Sequence, residues 1–349
     1  MTKIREVNIL DRKVSINHKP LVIAELGINH NGSLEEAYKI VNAAAATGVE
    51  VIKHQTHIIS DEMSAQAKKV IPGNSDKSIY KIMEDCALSE DEEFALKEYI
   101  EDKGMIFIST PFSRAAVDRL IKMKVPAFKI GSGECNNYPL LEYIASFKKP
   151  IILSTGMNTM KEVEKSIKIF EDAGIEYAVL HTTNLYPTPP RLVRLGAMQE
   201  ISQKFPGIVY GLSDHTTTNH SCFGAVALGA SILEKHFTDT MTREGPDIVC
   251  SMDPSALKDL IFGANLLFEE RGGTKGPVKE EQVTMDFAFS TIVTIKPIKK
   301  GEKFTKENIW VKRPGNKGMK ADRYNDVLGK LAVNDFTKDH HIEKEDVIW

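Results

Sequence analysis

Two histidines, two lysines and two glutamates stand where short apolar runs of this chain give way to polar residues. His215 closes Ser213-Asp214-His215, and His236 lies in Glu234-Lys235-His236-Phe237-Thr238. Two neutral imidazoles from neighbouring strands hold one divalent ion with positions left open, which suits Mn, Co, Fe or Mg better than closed structural zinc. The other reading is a pair of hydrogen-bonded core histidines. Lys53 and Lys129 end two further runs. A lysine so placed is a Schiff-base nucleophile or an anchor for an anion. Thr110, Ser132, Ser154, Asn184 and Ser213 favour the anchor, because hydroxyls and amides donate to phosphate or carboxylate oxygens. At roughly 4 Å and a dielectric near 20, each lysine is worth about 4 kcal/mol to an anion before desolvation. Snorkelling of Lys129 to solvent is opposed by the space that Gly131 and Gly133 leave beside it. Glu25 and Glu134 are the carboxylates. Glu134 follows Gly131-Ser132-Gly133, which lacks the third glycine of a dinucleotide loop. It orients or deprotonates water, binds sugar hydroxyls, or makes a loop ion pair.

These residues need elements that bring them together. Eight apolar runs end at Ala24-Glu25, Ile52-Lys53, Ile108-Ser109, Lys129-Ile130, Leu153-Ser154, Leu180-His181, Leu212-Ser213 and Leu233-Glu234. Each leads through a loop into a helix-like segment. Strands alternating with helices imply parallel pairing, and eight such units close a (β/α)8 TIM barrel, whose reactive groups sit at the C-terminal strand ends. Ser33 and Glu36 have the spacing of a capping box for the first helix. The connection Ile58 to Ala87 is long enough to be functional. It holds Pro72-Gly73-Asn74 and a helical piece near Ile79 to Met83. Later helices are expected at Asp91–Lys103, Ala225–Gly229 and Pro254–Glu270, among others. The expected division is a barrel over 1–270, a glycine-rich linker over 271–284, and a small β-rich domain over 285–349 with strands near Ser290–Ile295 and Asn308–Lys312.

The bulk numbers narrow the class. A net charge of −3 without a basic stripe argues against a nucleic-acid binder. No signal-peptide core or membrane span is expected, and four scattered cysteines read as reduced residues of a cytoplasmic enzyme. No Walker loop, Gly-x-Ser-x-Gly elbow or His-Glu-x-x-His helix is present.

The ordered set Glu25-Leu26-Gly27-Ile28-Asn29-His30-Asn31-Gly32, Lys53-His54-Gln55-Thr56-His57, Lys129-Ile130-Gly131-Ser132-Gly133-Glu134, Asn184-Leu185-Tyr186-Pro187-Thr188, Gly211-Leu212-Ser213-Asp214-His215-Thr216, Gly245-Pro246-Asp247 and Lys312-Arg313-Pro314-Gly315 resembles the sialic acid synthases, in their bacterial N-acetylneuraminate branch. The resemblance spans essentially the whole chain and gives the tail as an antifreeze-like SAF β-clip domain. It implies condensation of phosphoenolpyruvate with open-chain N-acetylmannosamine and water, giving N-acetylneuraminate, a precursor of capsule or lipopolysaccharide, and phosphate. It implies that Lys53, Thr110, Lys129, Ser132, Ser154, Asn184 and Ser213 hold phosphoenolpyruvate, and that His215 and His236 hold Mn2+ (or Mg2+ or Co2+). Glu25, Gln55, Tyr186, Asp247 and Arg313 would contact the sugar, with Glu134 steering water. It further implies a homodimer with swapped tails, so that Arg313 serves a partner's site. The related legionaminic and pseudaminic acid synthases and the 9-phosphate synthases are the near alternatives. A non-catalytic carbohydrate-binding protein is the remote one, and it predicts lost polar groups at strand ends, which are all present here.

Overall fold

A computed structural model describes residues 4–72 and 76–349 and divides the chain into two units, Met1–Gly272 and Gly273–Trp349. Gly73 and Asn74 of the long connection lie outside the described residues.

In the first unit, eight parallel strands close into a barrel: β3 (Leu21–Gly27), β4 (Val51–Thr56), β5 (Ile106–Pro111), β6 (Phe128–Ile130), β7 (Ile151–Ser154), β8 (Tyr177–Thr182), β9 (Val209–Asp214) and β10 (Ile232–His236). Each pairs with the next in chain order, and β10 returns to β3. The expected TIM barrel is present. Its period of two sorts residues by face. Inward at the lower levels come Leu21, Ile23, Val51, Ile108, Ala127, Ile152, Ala178, Leu180, Val209 and Ile232, which form one buried apolar cluster. Two positions further along the same strands stand Glu25, Lys53, Thr110, Lys129, Ser154, Thr182 and Glu234. Outward-facing residues such as Ala24, Ile52, Phe107, Leu153 and Leu212 pack under the helices in a second, larger cluster.

The first twenty residues read as a mixture of charges without a clear element. They form an antiparallel hairpin, β1 (Val7–Ile9) and β2 (Arg12–Val14). Val7, Ile9 and Val14 are fully buried and join the inner barrel cluster, so the hairpin plugs the end opposite the strand C-termini. Its polar side chains tie it to the rim: Arg12 pairs with Glu50, Asn8 with Glu176, and Arg5 with Glu171.

Local chemistry explains where several helices begin and end. The expected capping box at Ser33 forms only in half. Ser33 accepts the Glu36 N–H, but Glu36 turns its carboxylate to Lys39 and Arg243 instead of back to the cap. The helix expected at Ala225–Gly229 runs His220–Ala227, because Gly229, at φ +101°, ends it early. The helix at Pro254–Glu270 is as expected, with Asp253 as its cap. The connection after β4 carries short helical pieces at Ile59–Glu62, Ala65–Lys69 and Ile79–Cys86.

In the second unit, β11 (Thr291–Thr294) pairs with β12 (Ile309–Lys312), and β13 (Leu331–Ala332) with β14 (Val347–Ile348). Ile292, Phe304, Ile309, Phe336 and Ile342 are among its small buried core. The stretch read as linker is helical in part, at Lys279–Glu281 and Gln282–Ala288. Glu281 caps the first of these turns, its carboxylate accepting the Val278 N–H at 2.8 Å. Arg313 is exposed, just after β12.

Candidate active site

At the C-terminal mouth of the barrel lies a cavity of about 130 Å3. Its walls include Glu25, Gln55, Lys53, Thr110, Lys129, Ser132, Ser154, Asn184, Tyr186, Ser213, His215 and His236. Far apart in sequence, these side chains meet because every barrel strand aims the same parity of residue inward. Glu134 and Asp247 do not line the cavity wall, and Arg313 belongs to the second unit. Glu134 sits in a short turn at Ser132–Glu134, where its carboxylate accepts from the Asn137 amide at 2.5 Å. Burial pushes the Glu134 carboxyl up, against that hydrogen bond. Asp247 lies behind the wall, with Oδ2 3.7 Å from His236 Nδ1. Burial pushes it up to about 6.

The lysines are already paired. Lys53 Nζ lies 2.7 Å from Glu25 Oε2 and 3.2 Å from Thr110 Oγ1. Lys129 Nζ donates to Ser154 Oγ at 2.8 Å and to the Ile130 carbonyl at 3.1 Å. Glu234, fully enclosed on β10, stands between them, 3.8 Å from Lys53 Nζ and 3.5 Å from Lys129 Nζ. Lys129 therefore does not snorkel; it is 2% exposed. Glu234 was visible as the inward partner of His236 but was not counted among the site residues. Only the packing of β10 beside the two lysines reveals it as their shared counter-charge.

The two ammonium groups differ. Burial works against Lys53, but the Glu234 and Glu25 carboxylates outweigh it and hold its pKa above the ordinary value. Burial also works against Lys129, with the charge of Lys53 adding to it and Glu234 only partly offsetting, and its pKa falls to about 8. At neutral pH both carry charge, and two carboxylates balance them. An incoming anion meets a site already neutralised, so its attraction is smaller than two bare lysines would give.

The imidazoles stand beside this cluster. His215 and His236 have ring centroids 5.5 Å apart, and Tyr186 stacks on His215 at 4.2 Å. Burial drives both histidines down to about 4, so both are neutral near pH 7. His215 Nδ1 lies 3.0 Å from the Thr183 carbonyl, which only a protonated nitrogen satisfies; Nε2 then carries the lone pair. His236 Nδ1 is buried without a hydrogen-bond partner. Two neutral rings, one with an unpartnered nitrogen, fit the donor chemistry of an open divalent-metal site. Among the described residues no third His, Cys, Asp or Glu joins them into a larger ligand set. Behind the rings, Lys235 donates to Asp214 at 2.6 Å, clamping β10 to β9, the strands that carry the two histidines.

Glycine makes one close approach possible. A Cβ on Gly156 would lie 1.8 Å from Asn184 Oδ1 and 2.9 Å from Ser132 Oγ, so the bare backbone there lets both side chains reach the cavity.

Comparison with known proteins agrees with this geometry. The NeuB family profile matches residues 40–275, and the SAF domain profile matches residues 290–348. An uncharacterised protein of Methanocaldococcus jannaschii is 37% identical over 98% of this chain and 99% of its own length. The N,N'-diacetyllegionaminic acid synthase of Campylobacter jejuni is 36% identical over 93% of this chain and 99% of its own. The crystal structure of the N-acetylneuraminic acid synthetase of Leptospira borgpetersenii superimposes with a TM-score of 0.74 at 28% identity, covering 81% of this chain and 95% of that one. The chain belongs to the NeuB family of nonulosonic acid synthases, built as a TIM barrel followed by a SAF domain.

Proposed function

We propose that this chain condenses phosphoenolpyruvate with open-chain N-acetylmannosamine and water to give N-acetylneuraminate and phosphate. The observation that carries the reading is one cavity holding two ammonium groups ringed by hydroxyls next to two neutral imidazoles. In this reading Lys53, Lys129, Thr110, Ser132, Ser154, Asn184 and Ser213 hold the phosphate and carboxylate of phosphoenolpyruvate. Glu25, Gln55 and Tyr186, with Asp247 behind the wall, face the amino sugar. His215 and His236 would hold a divalent ion, most simply Mn2+, which when bound polarises the sugar aldehyde. The enol carbon then forms a bond to the aldehyde carbon, and the positive character left on the phosphate-bearing carbon lies near the Glu25 and Glu234 carboxylates. Water adds to that carbon, with Glu134 as the candidate to steer it. The former aldehyde oxygen takes up a proton that this water gives up; the carbon–oxygen bond to phosphate then breaks, its electron pair leaving with the phosphate as the new hydroxyl loses its proton and becomes the product's keto oxygen.

The choice of sugar rests on the Lys53-His54-Gln55-Thr56-His57 motif. A second reading, the diacetamido-trideoxy sugar of a legionaminic acid synthase, is favoured by the Campylobacter relative. Phosphate release should be measured with N-acetylmannosamine, its 6-phosphate and the diacetamido-trideoxy sugar in parallel, each with phosphoenolpyruvate and Mn2+. The proposal requires N-acetylmannosamine to give the highest kcat/KM, and a clear preference for either other sugar overturns it.

Lys129 gives this reading a pH signature. Its folded pKa, about 8, lies below the ordinary lysine value. The charge that attracts the anion is present below that pH and lost as pH rises through it. The KM for phosphoenolpyruvate should therefore rise about tenfold between pH 7 and pH 9. A flat profile would remove Lys129 from anion binding.

The homodimer with exchanged tails belongs to the same proposal, supported by the resemblance of the Lys312-Arg313-Pro314-Gly315 segment. Mixing inactive Arg313→Ala and Lys53→Ala subunits should restore part of the activity. Hybrid dimers as inactive as both parents would end it.

A further inference from the structure

The mouth of the cavity is connected to a histidine that the reading above does not use. His57, the residue after β4, is 5% exposed and sits between two oxygen acceptors. Its Nδ1 lies 2.8 Å from Glu62 Oε2, and its Nε2 lies 3.2 Å from Gln55 Oε1. Which way the Gln55 amide points is decided on its other side. Gln55 Nε2 donates to Glu25 Oε1 at 2.7 Å, and Glu25 Oε2 accepts from the Lys53 ammonium at 2.7 Å. Beside that ammonium the Glu25 carboxylate is acceptor-only, so the amide must present nitrogen to it and its oxygen to His57. His57 Nε2 faces that oxygen and must carry the hydrogen. The Phe112 ring, itself on the cavity wall, stacks on His57 at 4.5 Å and 10°.

We propose that His57, donating from Nε2 to the Gln55 oxygen, is a positioning residue that locks the Gln55 amide toward Glu25 and so sets the hydrogen-bonding face shown to the acceptor sugar. The inference rests on the assignment of Gln55 and Glu25 to the sugar side of the cavity. A His57 with a bare Nε2 would turn a lone pair toward the Gln55 oxygen, and flipping the amide to relieve that clash would set its oxygen against Glu25. Glu62 at Nδ1 holds the ring in place from the other side, and His30 and His54 pair with each other at 3.2 Å behind it.

Glu62 extends the connection outward. It ends the short helix Ile59–Glu62, and the preceding Asp61 accepts the Ala115 N–H at 2.8 Å, fixing that helix to the start of the helix Arg114–Lys122 that follows β5. The opening residues of the long connection after β4 are thereby wired to the amide that faces the sugar.

Two measurements on the full-length chain test this. Nitrogen-15 NMR of histidine-labelled protein should show Nε2 of His57 bearing the hydrogen; a bare Nε2 overturns the proposal. In kinetics, His57→Leu strips Gln55 of its donor, and the KM for the amino sugar should rise about tenfold or more while that for phosphoenolpyruvate stays within about twofold. His57→Gln keeps one donor toward Gln55 and should recover most of the loss. Equal rises in both KM values, or a glutamine variant as impaired as the leucine one, would show a merely structural role. If the unsubstituted chain released no phosphate with any amino sugar, the proposed function would fall, while the NMR signature would still decide the state of His57.

Discussion

Replacing His215 and His236 together by alanine should abolish condensation, lowering phosphate release by at least about a thousandfold, with no recovery on adding Mn2+. The expectation follows from the two rings being neutral, buried and adjacent, with the His236 Nδ1 unpartnered. Nothing else in the cavity can replace them, because the remaining charged groups are engaged with one another. Loss of one preorganised electrophilic contact commonly costs about 100- to 1000-fold, and here two ligands are lost at once. Binding is read separately by titrating Mn2+ into the protein and following its electron paramagnetic resonance signal. The unsubstituted chain should quench that signal and the variant should not. Full activity of the doubly substituted, metal-stripped protein would refute the role given to the pair. The buried clamp of Lys235 on Asp214 is left intact, so the strand ends should keep their places.

The second large effect concerns the lysines. Lys53→Met and Lys129→Met should each lower kcat/KM for phosphoenolpyruvate by about 100- to 1000-fold. The two variants should differ in stability. Removing Lys53 strips Glu25 of its 2.7 Å partner, whereas after removal of Lys129 both Glu25 and Glu234 still face Lys53; orphaning a buried charge of this kind costs about 3–5 kcal/mol. Thermal unfolding of each variant separates that cost from the kinetic loss. Borohydride trapping decides between anchor and nucleophile. Lys129, held down to about 8, has an appreciable fraction of free amine at neutral pH and is the better placed of the two to form an imine. Borohydride added with substrate should nevertheless leave the enzyme active and unlabelled. Reductive trapping on Lys129 or Lys53 would replace the anchor by covalent chemistry.

How much of this was legible in the sequence depends on the range of the contacts involved. Parity along a strand is local, so Glu25, Lys53, Lys129, Ser154, Ser213 and His236 could be assigned to one mouth from their spacing alone. Partnership is not local. That Lys53 neutralises Glu25 depends on the register of β3 against β4, and that Glu234 stands between both lysines on the closure of β10 onto β3; no periodicity reports either. The anion affinity reckoned for bare lysines was too generous for the same reason. The hairpin at Val7–Val14 escaped notice because two strands of three residues are too short to display an alternation, and its apolar residues make sense only against the barrel floor. His57 stood in a motif that was noticed, yet its significance lies in an amide orientation set by a residue some thirty positions away.

The hairpin floor has a further consequence. Val7, Ile9 and Val14 close the barrel floor, so the charged tier of Glu25, Lys53, Lys129 and Glu234 faces the mouth. A ligand filling that mouth cuts the tier off from bulk water altogether. From then on the fields of those four charges act undiluted, and the single water molecule that the proposed reaction consumes must already be inside.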